Sequence, residues 1–352
     1  MKIIGVMSGS SLDGLDISFC TFQPDNKEKI LYTIEAAHTY PFHSSIQTQL
    51  ENIQAHSAEE FTKLDTDLGI FIGQKITEFI KEKKLPLPDL IASHGHTAFH
   101  NPVSGYSKQI GNGAQIAAIT NIPAVTDFRS MDVALGGQGA PLVPVGDKYL
   151  FAGYEFCLNL GGYGNISYDS GNKRIAFDIC PVNKAINYIV SQEGLNMDKN
   201  GEMARKGKII PPLYKELNHL EFYSKTGPKS LDDHWLKNRF IPVVDQYKEK
   251  YLPDVLRTLY DHIALQIHLI TGDFQKGKVL VTGGGAFNTF LTERIKESTH
   301  HDIVLPSKLI IEFKEALIFA FLGYLKMQHQ VNCLASVTGA QKNSIGGVLY
   351  EI

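Results

Sequence analysis

Three glycine-rich turns and a few carboxylates carry the chemistry this sequence can do. The first turn, Gly9-Ser10-Ser11-Leu12-Asp13-Gly14-Leu15-Asp16, lies between two apolar stretches. Backbone N–H groups of such a hairpin turn can surround a phosphate, the hydroxyls add donors, and Asp13 can hold Mg²⁺ directly or through water. A plain tight hairpin is the competing reading of this turn alone. Asn159-Leu160-Gly161-Gly162 through Asn165 and Thr282-Gly283-Gly284-Gly285 each follow an apolar strand, where a missing Cβ lets backbone approach a ligand closely. The chain has no G-x-x-x-x-G-K-[ST] and no strand-linked G-x-G-x-x-G with a downstream acid, so Walker-type and Rossmann binding are poor readings. Three glycine turns spread over two halves fit a nucleotide held in a cleft between lobes.

Asp178 closes an expected strand and precedes Ile179-Cys180-Pro181-Val182-Asn183, a strand-to-helix transition. A carboxylate there can act as a general base, and helix capping by Asp178 or Asn183 is the alternative. Glu315 opens an apolar helix, where a negative charge near the N-terminus is favourable in itself. Asp127 and Arg129, two apart after another strand, can share one face and grip a polar ligand, the guanidinium offering a bidentate fork to a carboxylate. A surface ion pair is the plainer outcome for them. His94, His96 and His100 have no Cys or carboxylate cluster to complete a zinc site, so hydrogen-bonding or core roles are expected.

These residues need elements to hold them. Lys2 to Met7 and Leu15 to Phe22 read as a hairpin around the first turn. Ser57-Ala58-Glu59-Glu60 has capping-box form ahead of a periodic helix through Phe61, Leu64, Leu68, Phe71, Ile72 and Ile76. Strands are expected at Leu90 to Ser93, Ala124 to Asp127, Phe156 to Leu160, Ile166 to Tyr168, Arg174 to Asp178 and Lys278 to Thr282. Helices are expected at Ala114 to Thr120, Asn183 to Ser191, Val255 to Ile270, around Leu291 and Ile295, and from Lys314 to Met327. Alternating strands and helices predict an α/β protein of two related halves. The loop Gly136-Gly137-Gln138-Gly139-Ala140-Pro141 marks a boundary, giving an N-terminal lobe over 1–135, with 340–352 as a candidate completion, and a C-terminal lobe over 136–339.

Composition excludes several classes. The chain has 352 residues, 43% hydrophobic and 20% charged, with 34 Lys and Arg against 37 Asp and Glu and a net charge of −3. That length suggests two domains with a large core, and the balance argues against a dedicated nucleic-acid or acidic-membrane binder. Cys20, Cys157, Cys180 and Cys333 lie far apart with no C-x-x-C, which suits a reducing compartment. No signal-peptide core or membrane-length apolar run is present, so a cytoplasmic protein is expected.

Taken together, Gly5 through Asp16, Ser93-His94-Gly95-His96-Thr97, Ile110-Gly111-Asn112-Gly113, Asp127-Phe128-Arg129, Gly136 through Pro144, Asn159 through Gly162, Thr282 through Ala286, Lys314-Glu315-Ala316 and Val337-Thr338-Gly339-Ala340 resemble the anhydro-N-acetylmuramic acid kinases, in order and over essentially the whole chain. The resemblance implies two RNase H-like lobes of the actin, Hsp70 and sugar kinase type around a central cleft for ATP and substrate. It implies an enzyme that uses MgATP and water to convert a 1,6-anhydro sugar from recycled peptidoglycan into N-acetylmuramic acid 6-phosphate. By that resemblance Asp178 is the base that activates water and Glu315 the second active-site carboxylate. Gly9, Ser10, Ser11, Leu12, Asp13, Gly14, Leu15 and Asp16 form the ATP phosphate loop, with Asp13 the Mg²⁺ residue. Gly161, Gly162 and Asn165 make a second phosphate contact, and Gly283, Gly284 and Gly285 the adenosine-side turn. Thr97, Asp127 and Arg129 grip the sugar, Arg129 facing its lactyl carboxylate. A homodimer is implied by the family alone.

One departure sits beside the base. Where the family reads Asp-Thr-Gly-Pro-Gly-Asn, this chain reads Asp178-Ile179-Cys180-Pro181-Val182-Asn183. A β-branched Val disfavours the positive φ open to Gly, so a differently shaped loop is expected there. Two alternatives follow: a kinase of another anhydro sugar such as levoglucosan, or an ATP-binding module of the same fold without turnover.

Overall fold

The computed structural model describes residues 1–352 except Ser10, Ser11, Asp13, Asn26, Lys27, Glu28 and Thr226. Its strands are β1 (Lys2–Ser8), β2 (Leu15–Pro24), β3 (Ile30–Tyr40), β4 (Leu90–Ser93), β5 (His96–Asn101), β6 (Tyr106–Ile110), β7 (Ala124–Thr126), β8 (Phe156–Leu160), β9 (Tyr163–Ser170), β10 (Lys173–Pro181), β11 (Lys278–Thr282), β12 (Asp302–Val304) and β13 (Val348–Tyr350). The chain divides into two compact units, one of Met1–Phe151 with Phe313–Ile352 and one of Ala152–Glu312.

In the first unit the sheet runs β13-β7-β4-β1-β2-β3. Strands β1, β2 and β3 form an antiparallel meander, β4 lies parallel to β1 and β7 parallel to β4. The C-terminal strand β13 completes the edge antiparallel to β7. In the second unit β8, β9 and β10 form the meander, β11 lies parallel to β8 and β12 parallel to β11, in the order β10-β9-β8-β11-β12. A meander continued from its first strand by two parallel strands is the RNase H-like arrangement, and each unit has it.

The core of the first unit sets Ile4, Val6, Ile17 and Phe19 of the sheet against Leu68, Ile72, Ile76 and Phe79 of the helix Ala58–Glu82. That helix begins where the capping box places it: Ser57 Oγ accepts from the Glu60 N–H, and the Glu60 carboxylate accepts from the Ser57 N–H. In the second unit Leu158, Leu160 and Val281 pack with Ile186, Leu256, Leu259 and Ile263.

The division differs from boundaries at 135/136 and 339/340. The helix Val143–Leu150 after the glycine loop packs within the first unit, where a Cβ on Gly146 would meet the Ile318 side chain at 2.4 Å and Lys314 Nζ lies 2.7 Å from Asp147 Oδ1. The helix Lys308–Met327 is broken at Phe313, where φ is −116° and ψ is 16°, and the stretch beyond the break belongs to the first unit. Thus the C-terminal contribution to the first unit begins at Phe313 rather than at 340.

Candidate active site

In the first unit, strand β1 lies against the second half of the helix Lys308–Met327. The approach is set by Gly5, where a Cβ would fall 1.9 Å from the Ala316 carbonyl oxygen and 2.8 Å from the Ala320 nitrogen. Only a residue without a side chain lets this strand lie on that helix, and the contact fixes Glu315 next to the strand. Glu315 is open to water at its surface but crowded by protein. That crowding pushes its carboxyl above the usual range, Lys314 pulls it down, Asp16 pushes it up and Arg129 pulls it down. Asp16, at the start of β2, accepts from Thr39 Oγ1 at 2.6 Å.

A cavity of about 580 Å³ opens nearby, lined by residues that include Ser8, Leu12, His94, His96, Thr97 and Arg129. Arg129 is held at three points within it. Its Nε and Nη2 donate to His94 Nε2 at 3.1 and 2.9 Å, and Nη1 donates to the Gly139 carbonyl at 2.6 Å. His94 Nδ1 is 2.9 Å from the Gly95 carbonyl, so the buried ring is neutral, donating at Nδ1 and accepting at Nε2. Burial first, then the Arg129 charge, hold its pKa well below the ordinary value. Burial lowers Arg129 to about 10, which leaves it charged at neutral pH. Gly139 is held in turn by Asp132, a fully buried carboxylate that accepts from the Gly139 N–H at 2.8 Å and from Thr338 Oγ1 at 2.7 Å.

In the second unit the polar residues lie on one rung of the sheet. Thr282 pairs with Asn159, Asn159 with Asn165, and Asn165 with Asp178, across β11, β8, β9 and β10. The rung sits at the carboxyl ends of the parallel strands, where α/β sheets bind ligands. Gly283 has φ of +80°, and a Cβ there would stand 2.5 Å from Asn159 Oδ1. Gly161 would place one 3.1 Å from Asn159 Nδ2, so the Asn159 side chain lies between the two glycine turns. Asn183 joins them: its N–H donates to the Gly161 carbonyl at 3.2 Å and its Nδ2 to the Leu160 carbonyl at 3.0 Å.

Asp178 is half-buried, with a β-bulge at Ile179 directly after it. Its Oδ2 accepts from the Leu231 N–H at 2.8 Å. Burial raises its pKa above the ordinary value, and the Leu231 hydrogen bond opposes part of that rise. A carboxyl so placed can accept a proton near neutral pH better than an exposed one.

Over residues 1–352 the chain matches the family model described as anhydro-N-acetylmuramic acid kinase. A protein of that name from Sulfurovum sp. (strain NBC37-1) is 32% identical over 364 residues, covering 99% of each chain. Another, from Pseudomonas syringae pv. tomato (strain ATCC BAA-871 / DC3000), is 33% identical over 367 residues, covering 99% of this chain and 98% of its own. The chain belongs to the anhydro-N-acetylmuramic acid kinase family. A ROK family glucokinase from Streptomyces griseus in complex with glucose and AMPPNP aligns with a TM-score of 0.42 at 11% identity, over 92% of this chain and 99% of that one. At that level the likeness says nothing about ligands here.

Against the family's pattern, the residues singled out by sequence are placed as follows. Leu12, Thr97 and Arg129 line one cavity, while Asp127, at φ of +55°, turns Oδ1 to the Ser130 N–H and hydroxyl at 3.2 and 2.6 Å. Leu15 is fully buried, so only its backbone can serve a phosphate. Ser10, Ser11 and Asp13 lie outside the described residues. Neither Asp178 nor Asn183 caps a helix: Asn183–Ser191 follows Val182 without a side-chain cap. In the departure after Asp178, Val182 has φ of −121° and ψ of −97°, and no residue from Asp178 to Asn183 has positive φ. Val182 is buried, with Cγ2 3.0 Å from where a Gly164 Cβ would be. No sequence signal marks Leu231 or His94 as partners of Asp178 and Arg129.

Proposed function

We propose that this protein is an ATP-dependent kinase that opens 1,6-anhydro-N-acetylmuramic acid with water and phosphorylates it to N-acetylmuramic acid 6-phosphate. The observation that carries this reading is the Asp178 carboxyl, half-buried, shifted up by burial and with one oxygen anchored by the Leu231 N–H. Its other oxygen is left for a water proton. The water oxygen bonds to the anomeric carbon as its proton passes to Asp178. The bond from that carbon to the bridging oxygen breaks, and the bridging oxygen takes the γ-phosphoryl group as the bond to the ADP oxygen breaks. Glu315 is the second carboxylate, polarising water and sugar, and its raised pKa suits a group that shares protons.

Arg129, pre-set by His94 and Gly139, is assigned to the lactyl carboxylate, with Thr97 and Asp127 on the sugar. The Gly9 to Asp16 turn, Gly161, Gly162 and Asn165, and Gly283 to Gly285 are assigned to ATP, since backbone N–H groups and missing Cβ atoms suit phosphates. Mg²⁺ neutralises phosphate charge when bound. The ion is assigned to the nucleotide's phosphates with Asp13 as its one carboxylate. The relatives' names give no support to levoglucosan or to a module without turnover. No helix among the described residues is long and apolar enough to cross a membrane. A homodimer belongs to this reading through the family resemblance.

The test is incubation of the purified protein with MgATP and 1,6-anhydro-N-acetylmuramic acid in H₂¹⁸O. The expected product is the 6-phosphate with one ¹⁸O at the anomeric carbon. Absence of ADP and of phosphorylated product overturns the reading.

A further inference from the structure

The base is gripped from outside its sheet. Besides Leu231 N–H on Asp178 Oδ2, the Asp178 N–H donates to the Lys229 carbonyl at 2.8 Å. The segment 227–235 therefore lies beside β10 as a strap, meeting Asp178 with backbone at Lys229 and again at Leu231. Its two ends are fastened differently. At one end Lys229 Nζ donates to the carbonyls of Phe222 and Lys225 at 3.0 and 3.1 Å and stands over the Phe222 ring at 4.6 Å. At the other, Asp233 Oδ1 accepts from Tyr163 OH at 2.6 Å and from Lys184 Nζ. The Lys184 ammonium also stands over the Tyr163 ring at 4.9 Å.

Tyr163, the first residue of β9, and Lys184, in the helix Asn183–Ser191, adjoin the glycine turn. Tyr163 follows Gly162 directly, the Lys184 N–H donates to the Gly162 carbonyl at 3.2 Å, and a Cβ on Gly162 would meet the Lys184 side chain at 3.1 Å. One carboxylate thus ties the strap over the base to the turn assigned to phosphate.

We propose that Asp233 is a positioning residue for the reaction: latched to Tyr163 and Lys184, it holds the strap so that Leu231 and Lys229 fix Asp178 in place and leave one carboxylate oxygen to water. This rests on the reading of Asp178 as the base. The latch is an exposed ion pair, with side chains 42% and 55% accessible, and such pairs contribute little to stability. Loss of the latch should therefore move the strap without unfolding the unit. Among the described residues, Tyr163 on β9 and Cys180 on β10 are the titratable groups that interact electrostatically with Asp178; on the strap Lys229 acts on Cys180 and Asp232 on Tyr163, and Lys184 meets Asp233. Burial is the larger influence on Asp178, so lifting the strap lets its pKa fall even as the Leu231 hydrogen bond is lost.

The experiment compares the parent with Asp233→Ala, Asp233→Asn and Lys184→Met, each checked for folding by circular dichroism. The Asp178 carboxyl is titrated by ¹³C NMR, assigned by its absence in Asp178→Asn. Expected is a titration midpoint in Asp233→Ala shifted down toward the ordinary range, a smaller shift in Lys184→Met, and none in Asp233→Asn, whose amide oxygen still accepts both bonds. In turnover assays Asp233→Ala should lose kcat by about tenfold or more with little change in KM, against the roughly 10²–10⁴-fold that a well-placed base supplies. Asp233→Asn should retain most of it. Parent-like titration in both folded Asp233→Ala and Lys184→Met overturns the latch. A parent without anhydro-sugar turnover overturns the proposed function instead, and the NMR titration still decides the latch.

Discussion

Gly5→Ala is the sharpest test of how the first unit builds its half of the chemistry. The added Cβ would stand 1.9 Å from the Ala316 carbonyl oxygen, about 1.5 Å short of ordinary contact, with the Ala320 nitrogen at 2.8 Å and the Ala316 carbonyl carbon at 2.9 Å. All three obstacles are helix backbone, so no rotamer change relieves them. Either β1 or the helix must move by about 1 Å, and β1 is pinned between β2 and β4. Overpacking typically costs about 1–3 kcal/mol, and a clash that only backbone movement can relieve belongs at the top of that range. For a unit of this size each kcal/mol lowers Tm by about 2–4 °C, so a drop of about 6 °C or more is expected in differential scanning calorimetry. The helix that moves carries Glu315, and a misplacement of about 1 Å at a catalytic group can cost roughly 10²-fold in rate. Calorimetry and kcat measured on the same preparation should fall together. A Gly5→Ala protein with parental Tm and parental kcat refutes the close approach as the device that places Glu315.

Four further outcomes follow from the site. Asp178 must be ionised to accept a proton, and its pKa is raised, so kcat/KM should fall with decreasing pH through a midpoint above about 3.9; a midpoint at or below that value contradicts the assignment. The same shift has a stability sign: a carboxyl whose folded pKa is raised adds stability below its unfolded pKa and loses it as pH rises through the folded value, so inactive Asp178→Asn should melt above the parent at pH 7. Arg129→Lys cannot reproduce the paired bonds to His94 and the bond to Gly139, so KM for the sugar acid should rise about tenfold or more in steady-state assays while ATP affinity holds. Val182→Gly should gain no activity and should lower stability by about 2–4 kcal/mol in chemical denaturation, because the buried valine already has negative φ; a gain in kcat would show that the family's glycine conformation is needed.

What the sequence reveals of this protein, and what it hides, divides along the range of the forces involved. Leu90–Ser93, Phe156–Leu160 and Lys278–Thr282 are the strands expected from it, residue for residue, because strands buried on both faces read as unbroken apolar runs ended by polar or glycine residues. Strand β3, Ile30–Tyr40, carries no such signal: it is an edge strand with several exposed residues, and Glu35 and His38 interrupt its pattern. The strand β12 is only three residues long, too short for a period to show.

The site divides in the same way. The glycine turns are legible because a missing Cβ is written in the residue type, and Gly283 uses that freedom twice, in its φ of +80° and in its closeness to Asn159. The bonds that tune the functional side chains are not legible. Leu231 reaches Asp178 through a backbone N–H that every residue but proline has, 53 positions away, and Arg129 meets His94 across 35. A helix start can be read at Ser57 because capping needs a hydroxyl and a carboxylate three residues apart. A strap can be read only when the chain is folded, since what it offers Asp178 is main chain. Substitutions near Asp178 such as Ile179, Cys180 and Val182 thus alter the residue pattern most visibly while leaving the two backbone contacts to Asp178 in place. On the proposed reading, the environment of Asp178 is set instead by Asp233, Tyr163 and Lys184, whose side chains tie down that main chain.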